Sequence, residues 1–239
     1  MPIKQSVATL IDRTVRPFLR GNSSSAAGLH PTQERNTNVP NLLTIHVSPR
    51  FDGSISRNLT TLFADQWQAA HVGGTVVVRD LNVSPPPFVD LPWISGAYSP
   101  PETHSPEVAA AIKVSNDLVA ELMAADHLVI GTPMFNFSIP AVLKAWIDQI
   151  VRVGVTVSAD NVGLLTGKKA TIILATGGDF SPGSPVEGYN QASGYLRQLL
   201  GWIGIAEVEI ILANGASAGG NGETATEAFG AAISLAATA

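Results

Sequence analysis

From residue 42 onward the chain alternates between short β-rich apolar runs and helical stretches, and few architectures accept that rhythm. The runs LLTIHVS, TVVVRDL, HLVIGTP, KKATIILAT and EVEIILA read as strands. Between and after them lie SISRNLTTLFADQWQAAH, SPEVAAAIKVSNDLVAELMAA, IPAVLKAWIDQIVRVG, YNQASGYLRQLLGWIGI and ETATEAFGAAISLAA, each with helical apolar spacing. Ser105 caps the second of these helices, with Pro106 and Glu107 in its first turn. The third carries Lys144/Asp148 and Asp148/Arg152 pairs at the spacing that supports a helix face. The Pro-rich stretch around SPPPF and LPWISGAYSPP is expected to break regular structure.

Strand–helix alternation means parallel strands joined by right-handed crossover helices. The expectation is an α/β fold with a doubly wound five-stranded parallel sheet in the order 2-1-3-4-5. In that sequence of strands the order reverses between the first and third strands. Ligands sit there, beyond the carboxyl ends of the strands. The loops after Val47, Ile130 and Leu174 are therefore the candidate site.

The first loop is Ser48-Pro49-Arg50-Phe51-Asp52-Gly53-Ser54-Ile55-Ser56. A helix start offers unsatisfied N–H groups and a positive dipole end, and serine hydroxyls add donors, a combination suited to a phosphate monoester. The same serines also serve as ordinary caps. No GxGxxG follows this strand, which argues against a dinucleotide on a pyrophosphate turn. The second loop, Thr132-Pro133-Met134-Phe135-Asn136-Phe137-Ser138-Ile139-Pro140, places two aromatics and a Met where loops are usually polar. They suit a planar ring, or else a hydrophobic staple onto the next helix. The third, Thr176-Gly177-Gly178-Asp179-Phe180-Ser181-Pro182-Gly183, carries a Gly pair that lets backbone approach a ligand or simply turns.

Composition closes off other classes. The net charge is −5, which gives no electrostatic case for nucleic acid. Cysteine is absent, so disulfides and thiolate metal sites are excluded, and a reducing compartment is consistent with that. His30, His46, His71, His104 and His127 show no ligand spacing, and no metal site is expected. No apolar run approaches the roughly 20 residues needed to span a bilayer, and Asp12 and Arg13 interrupt the start too early for a secretory signal. A cytoplasmic protein is the expectation. GLLTGKK at 163–169 has the wrong spacing and context for a P-loop, and no GxSxG elbow is present.

Residues 1–41 differ from the rest. They carry a net charge of +3 and leave −8 for the remainder. Val7, Leu10, Ile11, Val15 and Phe18 recur at helical spacing before a polar linker rich in Ser, Asn and Pro. Two readings stand: a disordered tail, or an arm that docks on the core or on a second subunit. The domain division expected is 1–41 as an extension and 42–239 as the folded unit.

The segment PMFNFSIPAVLKAWIDQIVRVGVTV strongly resembles the centre of the FMN-dependent NADH-azoreductases, also described as NADH:quinone oxidoreductases. SPRFDGSIS and YLRQLLGWIGIAEVEIILANG resemble the same family in order and spacing, and the likeness covers about residues 42–217. It implies a flavodoxin-like fold, bound FMN, NADH or NADPH as co-substrate, and a homodimer with flavin sites near the subunit interface. It implies that Ser48, Ser54, Ile55 and Ser56 face the FMN phosphate. Pro133, Met134, Phe135, Asn136 and Phe137 would run along the isoalloxazine, and Ala175, Thr176, Gly177 and Gly178 would lie at its pyrimidine side. It implies a ping-pong transfer of hydride from the nicotinamide to a quinone or azo acceptor. No side chain is expected to act as a catalytic acid, base or nucleophile, and Phe135, Phe137 and Phe180 would shape the acceptor pocket. The alternative is a flavodoxin-like electron carrier with no organic substrate of its own. The sequence departs from the family pattern: Phe135 stands where Tyr is usual, Ser138 where Gly, Thr176 where Arg and Asn214 where Glu.

Overall fold

A computed structural model describes residues 39–215 and 222–239. The expected helix at 7–18 and most of the linker after it lie outside the described residues. Residues Thr37–Ala239 form one compact unit. Its elements run β1 (Asn41–His46), α1 (Ile55–Ala70), β2 (Thr75–Asp80), α2 (Leu91–Ala97), α3 (Pro106–Ala124), β3 (His127–Pro133), α4 (Ala141–Ile150), β4 (Lys169–Ala175), α5 (Gln191–Trp202), β5 (Glu207–Ala213) and α6 (Gly222–Thr238).

The sheet has five parallel strands in the order β2-β1-β3-β4-β5. Successive residues on a strand point to opposite faces, and both faces of this sheet are apolar. Leu128 and Ile130 of β3, with Ile172 and Leu174 of β4, pack into a core with Leu118, Leu122, Trp146 and Leu196 from α3, α4 and α5. Val129, Ile173 and Ala175 pack on the other side with Leu59, Phe63 and Trp67 of α1 and Ile233 of α6. Helices therefore cover both faces, as the alternation requires.

Gly131 of β3 is what lets α1 lie so close to the sheet. A Cβ there would fall 1.9 Å from Thr60 Oγ1 and 2.9 Å from the Ser56 carbonyl oxygen. The first turn of α1, and the loop leading into it, rest on this missing side chain.

Two expectations need correction. The stretch expected to break regular structure contains α2 and a 3₁₀ turn at Pro101–Thr103. Asp90 caps α2 by accepting from the Trp93 N–H at 2.9 Å, and Pro92 sits in the first turn, where its missing N–H costs nothing. Trp93 then anchors the short helix, its indole N–H donating to Gln149 Oε1 at 2.8 Å. The second correction is the expected Asp148/Arg152 pair. Helix α4 ends at Ile150, so Arg152 lies beyond the helix face. Its guanidinium turns inward, donates to Ser115 Oγ (2.8 Å) and Asn116 Oδ1 (3.2 Å), and lies over the Trp93 ring. The Lys144/Asp148 pair does form.

Candidate flavin site at the sheet's switch point

The loops after β1, β3 and β4 meet around a cavity of about 300 Å³, where the strand order reverses. The first wall is built from residues 48–56. Ser48, Ser54 and Ser56 are buried at 5%, 5% and 1% exposure, and all three line the cavity. Ser54 caps α1, with its Oγ 3.4 Å from the Arg57 N–H, a long contact. Its oxygen also lies 3.4 Å from Ser56 Oγ. The N–H groups of Ile55 and Ser56 stand in the first turn, where no acceptor within the helix is available to them. The positive end of α1 and two buried hydroxyls thus converge on one point, an arrangement that accepts an oxyanion.

Arg57 fixes this wall from behind. It donates to Asp80 Oδ2 and Oδ1 at 2.6 and 3.0 Å and to the Ser48 carbonyl at 2.8 Å, and it lies 4.5 Å from the Phe51 ring centroid. Burial raises the Asp80 carboxyl. The Arg57 hydrogen bond and the Asn82 and Val83 N–H groups outweigh that, and its pKa lies below the usual value. His46, buried two residues before Ser48, is held below the usual histidine range by burial and then by the Arg57 charge.

The second wall is the turn after β3. Phe135 and Ser138 exchange backbone hydrogen bonds at 2.9 and 3.0 Å. Asn136 and Phe137 occupy the corners with φ of 48° and 68°. Two consecutive left-handed residues make this a tight primed-type turn. Asn tolerates the conformation, whereas Phe pays for it in steric strain. The strained corner holds two large aromatics half out of the protein, Phe135 at 46% and Phe137 at 50% exposure. Met134 is tied back by its N–H to the Ala175 carbonyl at 2.8 Å.

The third wall is the loop after β4. Ala175 and Gly177 line the cavity. Thr176 is 1% exposed, and its hydroxyl lies 2.8 Å from both the Gly178 carbonyl oxygen and Asn214 Oδ1. Phe180 stands edge-on to Phe137 with ring centroids 6.3 Å apart, and Tyr189 lies 5.3 Å from Phe137 on another side.

Of the residues expected from sequence, Ser48, Ser54, Ile55, Ser56, Pro133, Met134, Phe135, Ala175 and Gly177 line the cavity together. Asn136, Phe137, Thr176 and Gly178 belong to the same loops but lie outside that lining. Phe137 and Phe180 form the adjoining aromatic wall. Pro49, Arg50 and Gly53 line the cavity without having been singled out. The signal for Arg50 was present: it is a cation inside the serine-rich loop. Tyr189 had no sequence signal, because a 3₁₀ turn at Glu187–Tyr189 brings it in from a distant part of the chain. Among the described residues no cluster of His, Cys, Asp and Glu could hold a metal ion.

The donor set suits a flavin mononucleotide. Buried hydroxyls and a helix start at one end would suit a phosphate, and Met134 and Phe135 offer an apolar surface at the other. A parallel sheet carrying such a site at its switch point defines the flavodoxin class of mononucleotide-binding proteins. Residues 40–235 match the flavodoxin-like fold family, and the chain belongs to it. An FMN-dependent NADH:quinone oxidoreductase from Jannaschia sp. (strain CCS1) is 48% identical over 191 residues, 80% of this chain and 94% of that protein. The FMN-dependent NADH:quinone oxidoreductase of Nostoc punctiforme is 50% identical over 182 residues, 75% of this chain and 89% of that protein. Among solved structures, an azoreductase from Bacillus anthracis str. Sterne superposes with a TM-score of 0.75 at 26% identity, covering 84% of this chain and 99% of that one.

Proposed function

We propose that this protein is an FMN-dependent oxidoreductase that passes electrons from NADH to quinone or azo-aromatic acceptors. One observation carries the reading: a cavity with buried serines and a helix start at one end and Met134 and Phe135 at the other, at the reversal of strand order. The names of its relatives support the same cofactor and reductant.

FMN, when bound, supplies two-electron exchange between nicotinamide and acceptor, and the protein supplies placement. Ser48, Ser54, Ile55 and Ser56 hold the phosphate through hydroxyls and first-turn N–H groups, with Arg50 adding charge. Pro133, Met134, Phe135, Asn136 and Phe137 define the ring side, and Ala175, Thr176, Gly177 and Gly178 its polar edge. Backbone N–H groups in the last two loops stabilise negative charge there. Phe135, Phe137 and Phe180 admit a flat acceptor and exclude water.

The test is direct. Purified protein is expected to be yellow, to oxidise NADH with a soluble benzoquinone, and to give parallel double-reciprocal lines if the two substrates alternate at one site. A protein that neither carries nor binds FMN defeats the reading. One that binds FMN but turns over no quinone is an electron carrier instead.

Residues 42–239 form the FMN-binding unit in this reading, and 1–41 a separable extension. Two copies pair through the segment between β2 and α3, where the large apolar side chains of Phe88 (73% exposed), Leu91 (74%), Ile94 and Tyr98 are exposed. Light scattering on the full chain and on a chain lacking 1–40 tests both points: a monomer rejects the pairing, and an unchanged mass and flavin content reject a docking arm. No helix among the described residues is long and apolar enough to cross a membrane. A cytoplasmic location fits that and the absence of cysteine, and fractionation of cells tests it.

A further inference from the structure

Asn214 follows β5 and reaches across to the loop after β4. Its amide oxygen accepts from the Thr176 hydroxyl (2.8 Å) and the Phe180 N–H (3.3 Å). Its amide nitrogen donates to Asp179 Oδ1 (2.9 Å) and Ser181 Oγ (2.7 Å). A carboxamide has two donor hydrogens and two lone pairs on its oxygen; both hydrogens have acceptors here, and the oxygen takes the Phe180 N–H and shares the single Thr176 hydroxyl proton with the Gly178 carbonyl. One side chain thus grips four members of a six-residue stretch, 176–181.

That stretch connects the two halves of the site. Gly177 lines the mononucleotide cavity, and Phe180 supports Phe137 in the aromatic wall beside it. The exposed glycines give the loop little shape of its own. The Asn214 amide ties the cavity end of this stretch, at Thr176, to the wall end, at Phe180.

We propose that Asn214 is a positioning residue that fixes the aromatic wall for a flat acceptor, and so sets acceptor affinity without touching cofactor or acceptor. The proposal rests on the reading of the site as an NADH:quinone reductase. The chemistry favours an amide over a carboxylate at this position. Asp179 presents an acceptor, so its partner must donate, while the Phe180 N–H requires a partner that accepts. Only a group with both capacities closes the loop.

The experiment uses the full-length holoprotein with two electron acceptors, a benzoquinone that needs the aromatic wall and ferricyanide that does not. Asn214→Ala is expected to raise the quinone KM about tenfold, the scale of losing a hydrogen-bonded support, while ferricyanide turnover and FMN content stay near wild type. Asn214→Asp sets two carboxylates against each other and is expected to raise the quinone KM at least as much. Combining it with Asp179→Asn restores one donor facing one acceptor and is expected to return the KM toward wild type. Should Asn214→Ala fail to fold, this swap decides. An unchanged quinone KM, a swap no better than Asn214→Asp alone, or loss of FMN from the variants would each overturn the assignment. A wild type that oxidises NADH with neither acceptor overturns the functional reading as well, so the two failures are told apart by the wild-type control.

Discussion

The Arg57 guanidinium holds the Asp80 carboxylate through two hydrogen bonds, at 2.6 and 3.0 Å, and with its third edge holds the Ser48 carbonyl at 2.8 Å. One planar cation thereby fastens the first turn of α1 to the end of β2 and to the start of the serine loop. The pair is mostly shielded, with side-chain exposures of 11% and 17%. Removing either member leaves the other poorly solvated, at a cost of about 1–3 kcal/mol. Arg57→Ala is expected to lose that stability in urea denaturation and to weaken FMN about tenfold, because the loop proposed to hold the phosphate loses its backing. Arg57→Lys is expected to rescue little, since an ammonium cannot serve three acceptors in one plane. FMN titration by quenching of flavin fluorescence decides, and an Arg57→Lys protein with wild-type affinity sinks the idea.

Gly131 offers a test on the opposite side of the same loop. A methyl group there would overlap Thr60 Oγ1 and press on the Ser56 carbonyl. Helix α1 must move outward to relieve it, carrying Ser54 and Ser56 with it. Gly131→Ala is expected to cost about 1–3 kcal/mol and to lower FMN affinity more than its remoteness from the phosphate suggests. The companion variant Thr60→Ser, which keeps the hydroxyl that donates to the Ser56 carbonyl, is expected to bind FMN normally. If Gly131→Ala binds FMN as tightly as wild type, the close approach of α1 has no part in holding the phosphate.

The strained turn after β3 makes an opposite forecast for stability and activity. Phe137 sits at φ 68°, where glycine is at home and a bulky residue is not. Phe137→Gly relieves that strain, worth about 1 kcal/mol, and surrenders a half-exposed ring that contributes little burial. The melting temperature is expected to hold or rise while quinone KM rises several-fold. A melting temperature that drops sharply would show that Phe137 serves packing, not the acceptor.

Much of this architecture was legible because parallel strands buried on both faces leave continuous apolar runs. Leu128 to Ile130 and Ile172 to Leu174 carry no alternation, and each residue finds a core on one side or the other. What stayed hidden depended on distant partners. The α2 helix was obscured by its prolines, because only Trp93 meeting Gln149 reveals why seven residues hold a helix. Arg152 read as a surface charge at helical spacing, yet Ser115, Asn116 and Trp93 draw it inside, and nothing near it in sequence announces them. At the site, the serines were readable as helix-start donors. The Asn214 grip was not, since hydrogen bonds between two loops leave no periodic trace.

His127 supplies a forecast in pH. It lies at the opposite end of β3 from the flavin site, with Nε2 2.9 Å from Thr171 Oγ1 and its ring edge-on to Phe63. Burial, and then the Lys169 charge, push its pKa from 6.5 down to about 4, against a smaller opposing pull from Glu207. Above pH 6.5 the imidazole is neutral whether the chain is folded or not, and pH has no hold on it. Below 6.5 the unfolded chain binds a proton that the folded chain refuses until about pH 4. Folding stability therefore falls as pH falls through that window, by about 2–3 kcal/mol at its acid end. His127→Gln, which does not titrate, is expected to be less stable than wild type at pH 7 and to lose ground more slowly on acidification. Urea denaturation at pH 7 and pH 4.5 measures the gap between the two proteins, and the gap is expected to narrow by that amount. Parallel losses in both would mean that His127 takes up its proton in the folded protein as readily as in the unfolded chain.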